Sequence, residues 1–388
     1  MKLKVAFLNC RSHGDCTVIT FKENGKDACI VVDGGKGTKG AGALFDYLHS
    51  KNISAIDLMV GTHIDSDHID GLKHFAKNEL KKKNQGKDYI EIKEFWGPTP
   101  SREHVPDIEP TSLASSAEKG KFSWRRFVIQ SVKQNDDLFE ALQKLDVPIL
   151  HPSLLEPPAN PFSNVALELL GPDMQISADL IKKKALGLTT RASDKELKEK
   201  GKRIKTIEDL KHALRINYEE MAIEAKRNAN NQSIVFRLKP ATGKASAKKW
   251  SFLFTGDAEE EAWEEMLANS AVKSHLRARV LKIPHHGSGA NGITDKGAQK
   301  VKPEYSINMV GQEHGLPDKE PLELLQGLGS KLLCTQRNHS SSHKSACYRV
   351  PKSDCPAKGK PKTITFTVDT TTGNCKITPA GRACDHDW

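Results

Sequence analysis

The sequence predicts an α/β fold of layered sheets and helices, and three observations carry that prediction. Short apolar runs rich in Val, Ile and Phe are punctuated by Gly, Asn and Asp. Stretches with helical spacing of apolar residues lie between them. The mixture of strands and helices recurs in two similar halves, which favours a layered sandwich over a parallel doubly wound sheet.

In order along the chain, "LKVAFL", "CTVITF" and "ACIVVDGG" read as strands, and "GALFDYLHSKN" as a helix. "AIDLMVGTH" reads as one buried strand, followed by a helix over "DGLKHFAKNELKKKN" with Leu72, Phe75, Ala76 and Leu80 on one face. Residues 84–165 are rich in Pro and Ser, with a helix at "NDDLFEALQKL". "NVALELLGPD" is a strand running into a turn. Residues 176–229 form a Lys-rich helical insertion, with Thr206 and Asp209 spaced as an N-terminal cap. Strands return at "NQSIVFRL", "WSFLFTGD" and "ARVLKIPHHGS", with a helix at "EEEAWEEMLAN". The tail holds "YSINMVG", a helix near "EPLELLQGL", "KLLCT" and a terminal hairpin over "TITFTVDTTTGNCKITP". The expected organisation is one domain over residues 1–388. The insertion lies within it, and residues 335–388 form a Cys-containing C-terminal extension.

No run of 18 apolar residues exists, so no transmembrane helix is expected. "MKLKVAFLNC" turns polar too quickly for a signal peptide and reads as a first strand. A cytoplasmic protein with reduced thiols is the expectation, since none of the eight cysteines forms a CxxC pair. The five C-terminal ones are irregularly spaced, which favours scattered thiols over a structural zinc site. Net charge is +10 and sits in two blocks. Residues 181–230 carry 14 Lys/Arg against 8 Asp/Glu, and residues 331–388 carry 10 against 4. The rest is near neutral, so the basic blocks look like additions that suit a polyanionic partner.

Three clusters at strand ends carry the chemistry: His63, Asp65, Asp67 and His68 in "HIDSDH"; Asp257 in "FLFTGD"; and His285–His286 in "LKIPHHGS". Loops at sheet ends share a rim, so distant segments can converge there. A lone Asp after a strand is usually a turn or cap residue, and a lone His pair is usually surface polarity. Four ligand-type side chains at i, i+2, i+4 and i+5 are not explained by capping. Together with Asp257 and one tandem histidine they make six ligands, enough for two divalent ions if Asp257 bridges. Asp70 lies beyond the cluster and reads as a cap for the helix that follows.

These motifs resemble the metallo-β-lactamase fold superfamily, whose HxHxDH hallmark is here "HIDSDH". The likeness is closer to ComEC-type hydrolase domains and their freestanding relatives, with HxDxDHxxG matched by "HIDSDHIDG". "HGDCTVIT", "IVVDGG", "NQSIVFRL", "TGD", "HHGS" and the late "GQEHGLP" follow in the family's order. The resemblance implies a four-layer αββα sandwich with the helical insertion. It implies that His63 and Asp65 hold one metal and Asp67 and His68 the second. Asp257 would bridge the two, and His285 or His286 would complete the second site. Zn or Mn is implied, with Mg possible, and an activated hydroxide oriented by Asp67 as nucleophile. Asp33 would orient the motif loop by hydrogen bonds, and Asp15 would face the site from behind the ligands. His314 matches the late histidine as a phosphate contact or proton donor. A further family histidine has two candidates, His104 and His151. "NCRSHGD" is one residue longer than the family's turn.

Asp65 in place of an imidazole makes the ligand set harder and more anionic, which suits Mn²⁺ or Mg²⁺ and phosphoryl chemistry. Lys182, Lys183, Lys184, Lys202, Arg203 and Lys205 offer charge for a nucleic-acid backbone. The expectation is a two-metal phosphodiester hydrolase, a nuclease on DNA or RNA. The alternatives are a small-molecule phosphodiesterase acting on a phosphocholine ester or cyclic nucleotide, another hydrolase of the superfamily, and a non-catalytic metal-binding module.

Overall fold

Two β-sheets stack face to face, each with helices on its outer surface, in the computed structural model. The structure describes residues 1–98, 131, 133–172, 229–311, 315–336, 345–349, 362–379 and 383–384. In chain order the strands are β1 (Lys2–Phe7), β2 (Thr17–Glu23), β3 (Lys26–Val32), β4 (Ala55–Ile56), β5 (Leu58–Val60), β6 (Glu91–Ile92), β7 (Phe95–Trp96) and β8 (Ile149–Leu150). They continue as β9 (Val165–Gly171), β10 (Val235–Pro240), β11 (Phe252–Phe254), β12 (Val280–Lys282), β13 (Tyr305–Asn308), β14 (Lys331–Cys334), β15 (Ile364–Asp369), β16 (Cys375–Thr378) and β17 (Ala383–Cys384). The first sheet runs β16-β15-β1-β2-β3-β5-β7-β8 and the second β17-β14-β13-β12-β11-β10-β9. The helices that cover them are α1 (Gly37–Ser50), α2 (Ser66–Asn84), α3 (133–144), α4 (Glu260–Ala268), α5 (Ser270–His275), α6 (Asp295–Val301) and α7 (Lys319–Gly327).

Period-2 alternation sorts the side chains into three apolar layers. Leu3, Val5 and Phe7 of β1 meet Phe236, Phe252 and Phe254 between the sheets. Ala6 and Leu8 point the other way, onto Leu44 of α1, Leu72 and Phe75 of α2, and Leu138 and Leu142 of α3. On the far side Leu253, Leu281 and Leu332 pack against Trp263 of α4, Val272 of α5, Val301 of α6 and Leu325 of α7. Four layers, helix–sheet–sheet–helix, follow from these three cores, as expected for an αββα sandwich.

Several local expectations change. "AIDLMV" is two strands in different sheets, broken at Asp57. The Asp57 carboxylate accepts from the Cys29 amide at 2.8 Å and pairs with Lys93 at 2.7 Å, which ties the break in place. Helix α2 starts earlier than its apolar stripe suggests, so Asp67 and His68 stand in its first turn and Asp70 lies inside it. Asp70 therefore does not cap this helix; it pairs with Lys73 at 2.5 Å and lies near Gly37, at the start of α1. Leu80 is only half-buried. Glu79 is buried instead, its carboxylate accepting from the Ile90 amide at 2.5 Å. The terminal hairpin is not peripheral, since β15 pairs with β1 along its whole length. The insertion over 176–228 lies outside the described residues, with Lys182, Lys183, Lys184, Lys202, Arg203, Lys205 and the Thr206 cap; so do His104 and His314. Among the described residues no helix is long and apolar enough to cross a membrane. None of the seven described cysteines joins a metal-type cluster.

The glycine at the end of "HIDSDHIDG" has a steric reason. A Cβ at Gly71 would sit 1.9 Å from the Gly34 carbonyl oxygen. Helix α2 lies directly on the "DGG" turn there, with Gly34 N–H donating to His68 O at 2.7 Å and Gly71 N–H to Gly35 O at 2.8 Å. Gly71→Ala forces this contact apart and is expected to destabilise the fold by about 1–3 kcal/mol, the usual scale for overpacking. Urea unfolding of the metal-free variant measures it; an unchanged midpoint contradicts the packing argument.

Candidate metal centre

Strand polarity brings the motifs together. Phe7, Thr17 and Val32 share one register row, and β5 runs parallel to β3. The loop after β1, the "DGG" turn and the "GTHIDSDH" loop therefore leave the first sheet at one end. In the second sheet β11, β12 and β13 are parallel, so "TGD" and "PHHG" leave it side by side. Asp67, His68, Asp257 and His286 converge there, with one ligand atom from each within 4.8 Å of the others.

Each side chain has a local cause for its placement. Asp65 is the N-cap of α2, yet its side chain makes no capping hydrogen bond, unlike an ordinary N-cap aspartate. Its Oδ2 instead lies 3.9 Å from His63 Nε2. Asp67 benefits from the helix N-terminus. Asp33 takes a left-handed conformation at φ 57° and accepts from the Thr62 amide at 2.8 Å and the Thr62 hydroxyl at 2.9 Å. The same carboxylate binds His68 Nδ1 at 2.9 Å, so Asp33 fixes both the loop and the imidazole's tautomer. His68 Nε2 then faces Asp257 Oδ1 at 3.2 Å.

The "PHHG" turn separates the tandem histidines. Both are left-handed, with φ of 47° and 51°, a conformation costing roughly 1–3 kcal/mol per residue that clusters at functional sites. The result is divergence of neighbouring rings. His286 donates from Nδ1 to Met309 O at 2.8 Å and turns Nε2 to Asp67 at 3.0 Å and Asp257 at 3.6 Å. His285 instead sits 3.0 Å from Asn291 O and 3.4 Å from Glu259 Oε1. Of the tandem pair, His286 faces the converged group and His285 stands outside it. His151 ends β8 on the same rim, but its Nδ1 contacts Gly97 O at 3.0 Å and its ring stacks on Phe139.

Two residues that sequence reading passed over stand in the site. His13, buried in the loop after β1, lies 3.3 Å from Asp67 Oδ2 and packs against the His286 ring. The Gly311 amide donates to His13 Nδ1 at 3.3 Å, so the proton is on Nε2 and His13 is a donor to Asp67. Its neighbour Gly14 has φ 115°, and a Cβ there would sit 2.0 Å from Asp67 O. That close approach is what brings His13 and Asp15 to the site. Lys282 is the other, and the only lysine among the described buried residues. It pairs with the Asp15 carboxylate, lies 3.4 Å from Asp257 Oδ1 and donates to Gly256 O at 2.9 Å. "HGD" one residue before a strand and "LK" at a strand's end were the available signals.

Charge shows what the site lacks. Asp15, Asp33, Asp65 and Asp257 are buried and Asp67 is half-buried, and Lys282 pairs with Asp15 and Asp257. Burial opposes ionisation, yet His68, His286 and neighbouring charges hold the carboxylates of Asp67 and Asp257 well below the usual range. His63 is pushed down to about 3 by burial and by the charge of His68. In contrast His286 is raised to about 10, its burial outweighed by Asp257 and Asp15. His68 is raised too, burial again being outweighed by Asp257 and Asp33. The Nε2 atoms of His63 and His68 are buried without a hydrogen-bond partner. Buried, ionised carboxylates beside orphaned imidazole nitrogens fit divalent cations. Asp67, His68, Asp257 and His286 would hold one ion. His63 and Asp65 would hold another, together with Asp257, whose Oδ2 is 3.9 Å from His63 Nε2.

No family model matches the chain. ComE operon protein 3 of Bacillus subtilis (strain 168) is 33% identical over 91 residues, which is 23% of this chain and 11% of that protein's length. Among solved structures, that of a long form RNase Z from yeast aligns over 86% of this chain and 40% of its own, at 11% identity and a TM-score of 0.36. That likeness is too loose to transfer chemistry.

Proposed function

We propose that this protein is a metallo-β-lactamase-type hydrolase that uses two divalent ions to cleave phosphodiesters, with nucleic acid as substrate. The observation that carries the reading is the donor set. Three carboxylates (Asp65, Asp67 and Asp257) stand beside three imidazoles (His63, His68 and His286): Asp67, His68, Asp257 and His286 converge, and His63 lies 3.9 Å from both Asp65 and Asp257. Oxygen-rich sites favour hard ions such as Mn²⁺ and Mg²⁺ over zinc. Bound ions would lower the pKa of water and take up charge on phosphoryl oxygens.

The chain's own residues prepare the site. His13 and His286, packed ring against ring, both reach Asp67 Oδ2, which anchors that oxygen of the carboxylate at the cluster. Asp33 holds His68, while Met309 O holds His286, so both present Nε2 inward. The net charge of +10 supplies attraction for a polyanion.

The test is turnover by protein loaded with Mn²⁺, Mg²⁺ or Zn²⁺. The panel is single- and double-stranded DNA, RNA, cyclic nucleotides, a chromogenic phosphodiester, a β-lactam and a thioester. DNA or RNA is expected to be cut, fastest with Mn²⁺. Turnover of the β-lactam or thioester with every phosphodiester intact overturns the reading.

A further inference from the structure

We infer that Lys282 is a positioning residue of this centre: it grips one carboxylate oxygen of Asp257 and so presents the other to His63 and His286. The inference rests on the metal reading above. A lysine is rarely buried unless its charge is matched. The ammonium has three donors, and three acceptors surround it: Gly256 O, the Asp15 carboxylate and Asp257 Oδ1. Its own carbonyl accepts from the Thr255 hydroxyl at 2.9 Å. The end of β12 and the "TGD" turn are thus tied together from both sides.

What remains to be fixed at Asp257 is side-chain rotation. Its amide already donates to Ser233 Oγ at 3.1 Å, which sets the main chain. Oδ1 lies 3.2 Å from His68 Nε2 and 3.4 Å from Lys282, while Oδ2 lies 3.6 Å from His286 Nε2 and 3.9 Å from His63 Nε2. Swinging the carboxylate away would leave Lys282 with two of its three acceptors in a buried place, at the cost of an unmade hydrogen bond. The same ammonium steadies Asp15, whose other oxygen is 3.3 Å from His286 Nδ1. One cation therefore orients two of the groups that meet at the centre, and does so before any ion arrives.

Two plainer roles make different predictions. A lysine that merely cancels negative charge repels incoming cations, so its removal tightens metal binding. A lysine that merely fills space changes stability and leaves metal affinity alone. A positioning lysine, when removed, weakens metal binding, as loss of an outer partner does by roughly 10–100-fold.

The experiment measures Mn²⁺ affinity by equilibrium dialysis and records the Co²⁺ absorption bands for wild type, Lys282→Met and Lys282→Arg. The methionine variant is expected to bind Mn²⁺ about 10–100-fold more weakly with shifted Co²⁺ bands. The arginine variant, which keeps a cation able to donate to both carboxylates, is expected to recover most of the affinity. Should Lys282→Met fail to fold, Asp15→Asn/Lys282→Met relieves the unmatched buried charge and carries the same expectation. Equal or tighter Mn²⁺ binding with unshifted bands, in whichever of these variants folds, overturns the role of Lys282 alone. A wild-type protein that takes up no divalent ion overturns the metal reading and this inference with it.

Discussion

Asp257→Ala is expected to abolish uptake of both ions and, with it, hydrolysis. Asp257 contacts both of the other candidate ligand clusters. Its oxygens lie within 3.9 Å of His63, His68 and His286, and it is tied to Lys282. Removing an outer partner of a ligand already costs about 10–100-fold in affinity or activity. Removing a carboxylate that would serve both ions is expected to exceed that and to leave less than about 1% of wild-type turnover. Asp33→Ala makes the comparison, since Asp33 holds His68 and Thr62 by hydrogen bonds; it is expected to fall within the outer-partner range. Metal content of the dialysed proteins and turnover of the active substrate read both. Full metal content in Asp257→Ala would place the centre elsewhere.

Metal uptake near neutral pH is expected to release protons, and apparent affinity is expected to climb with pH. The sign follows from the imidazoles. His286 holds its second proton up to about 10, and His68 is raised in the same direction, both because neighbouring carboxylates outweigh burial. A metal takes the neutral ring, so binding below that pH displaces the proton. His63, pushed down to about 3, is already neutral and releases none. Each displaced proton gives up to about tenfold in affinity per pH unit. Stability of the metal-free protein moves the other way. A raised histidine lends stability that is fully present below its unfolded pKa of about 6.5 and lost as pH rises through about 10. The depressed carboxylates of Asp15, Asp67 and Asp257 lend stability above about 3.9 that is lost as pH falls below it. Calorimetry in two buffers of different ionisation enthalpy counts the protons, and melts of chelator-treated protein at pH 7 and 10 test the stability arm. Uptake with no proton release, or a metal-free melt unchanged between those values, would contradict this account of the cluster.

The local half of this architecture was legible in the amino acids. Alternation along "LKVAFL" and "FLFTGD" separates the two faces of β1 and β11 because side chains of a strand alternate regardless of what packs on them. The "HIDSDH" cluster was legible because its ligands are neighbours in sequence, and a loop running into a helix turn holds neighbours close. Glu79 and Leu80 show where this fails: the stripe predicts an apolar face, and one amide at Ile90 draws the carboxylate inside instead.

The sequence by itself determined the layered fold class, the strand-end clusters and the carboxylate at position 65. Tertiary structure alone decided that His286 and not His285 joins the cluster, that His13 and Lys282 belong to it, and that β15 completes the first sheet beside β1. The physical reason is range. Spacing along the chain reports contacts a few residues apart, whereas these join segments distant in the chain that only the assembled sheets bring together. Which buried charge answers which is settled only when burial removes water from between them.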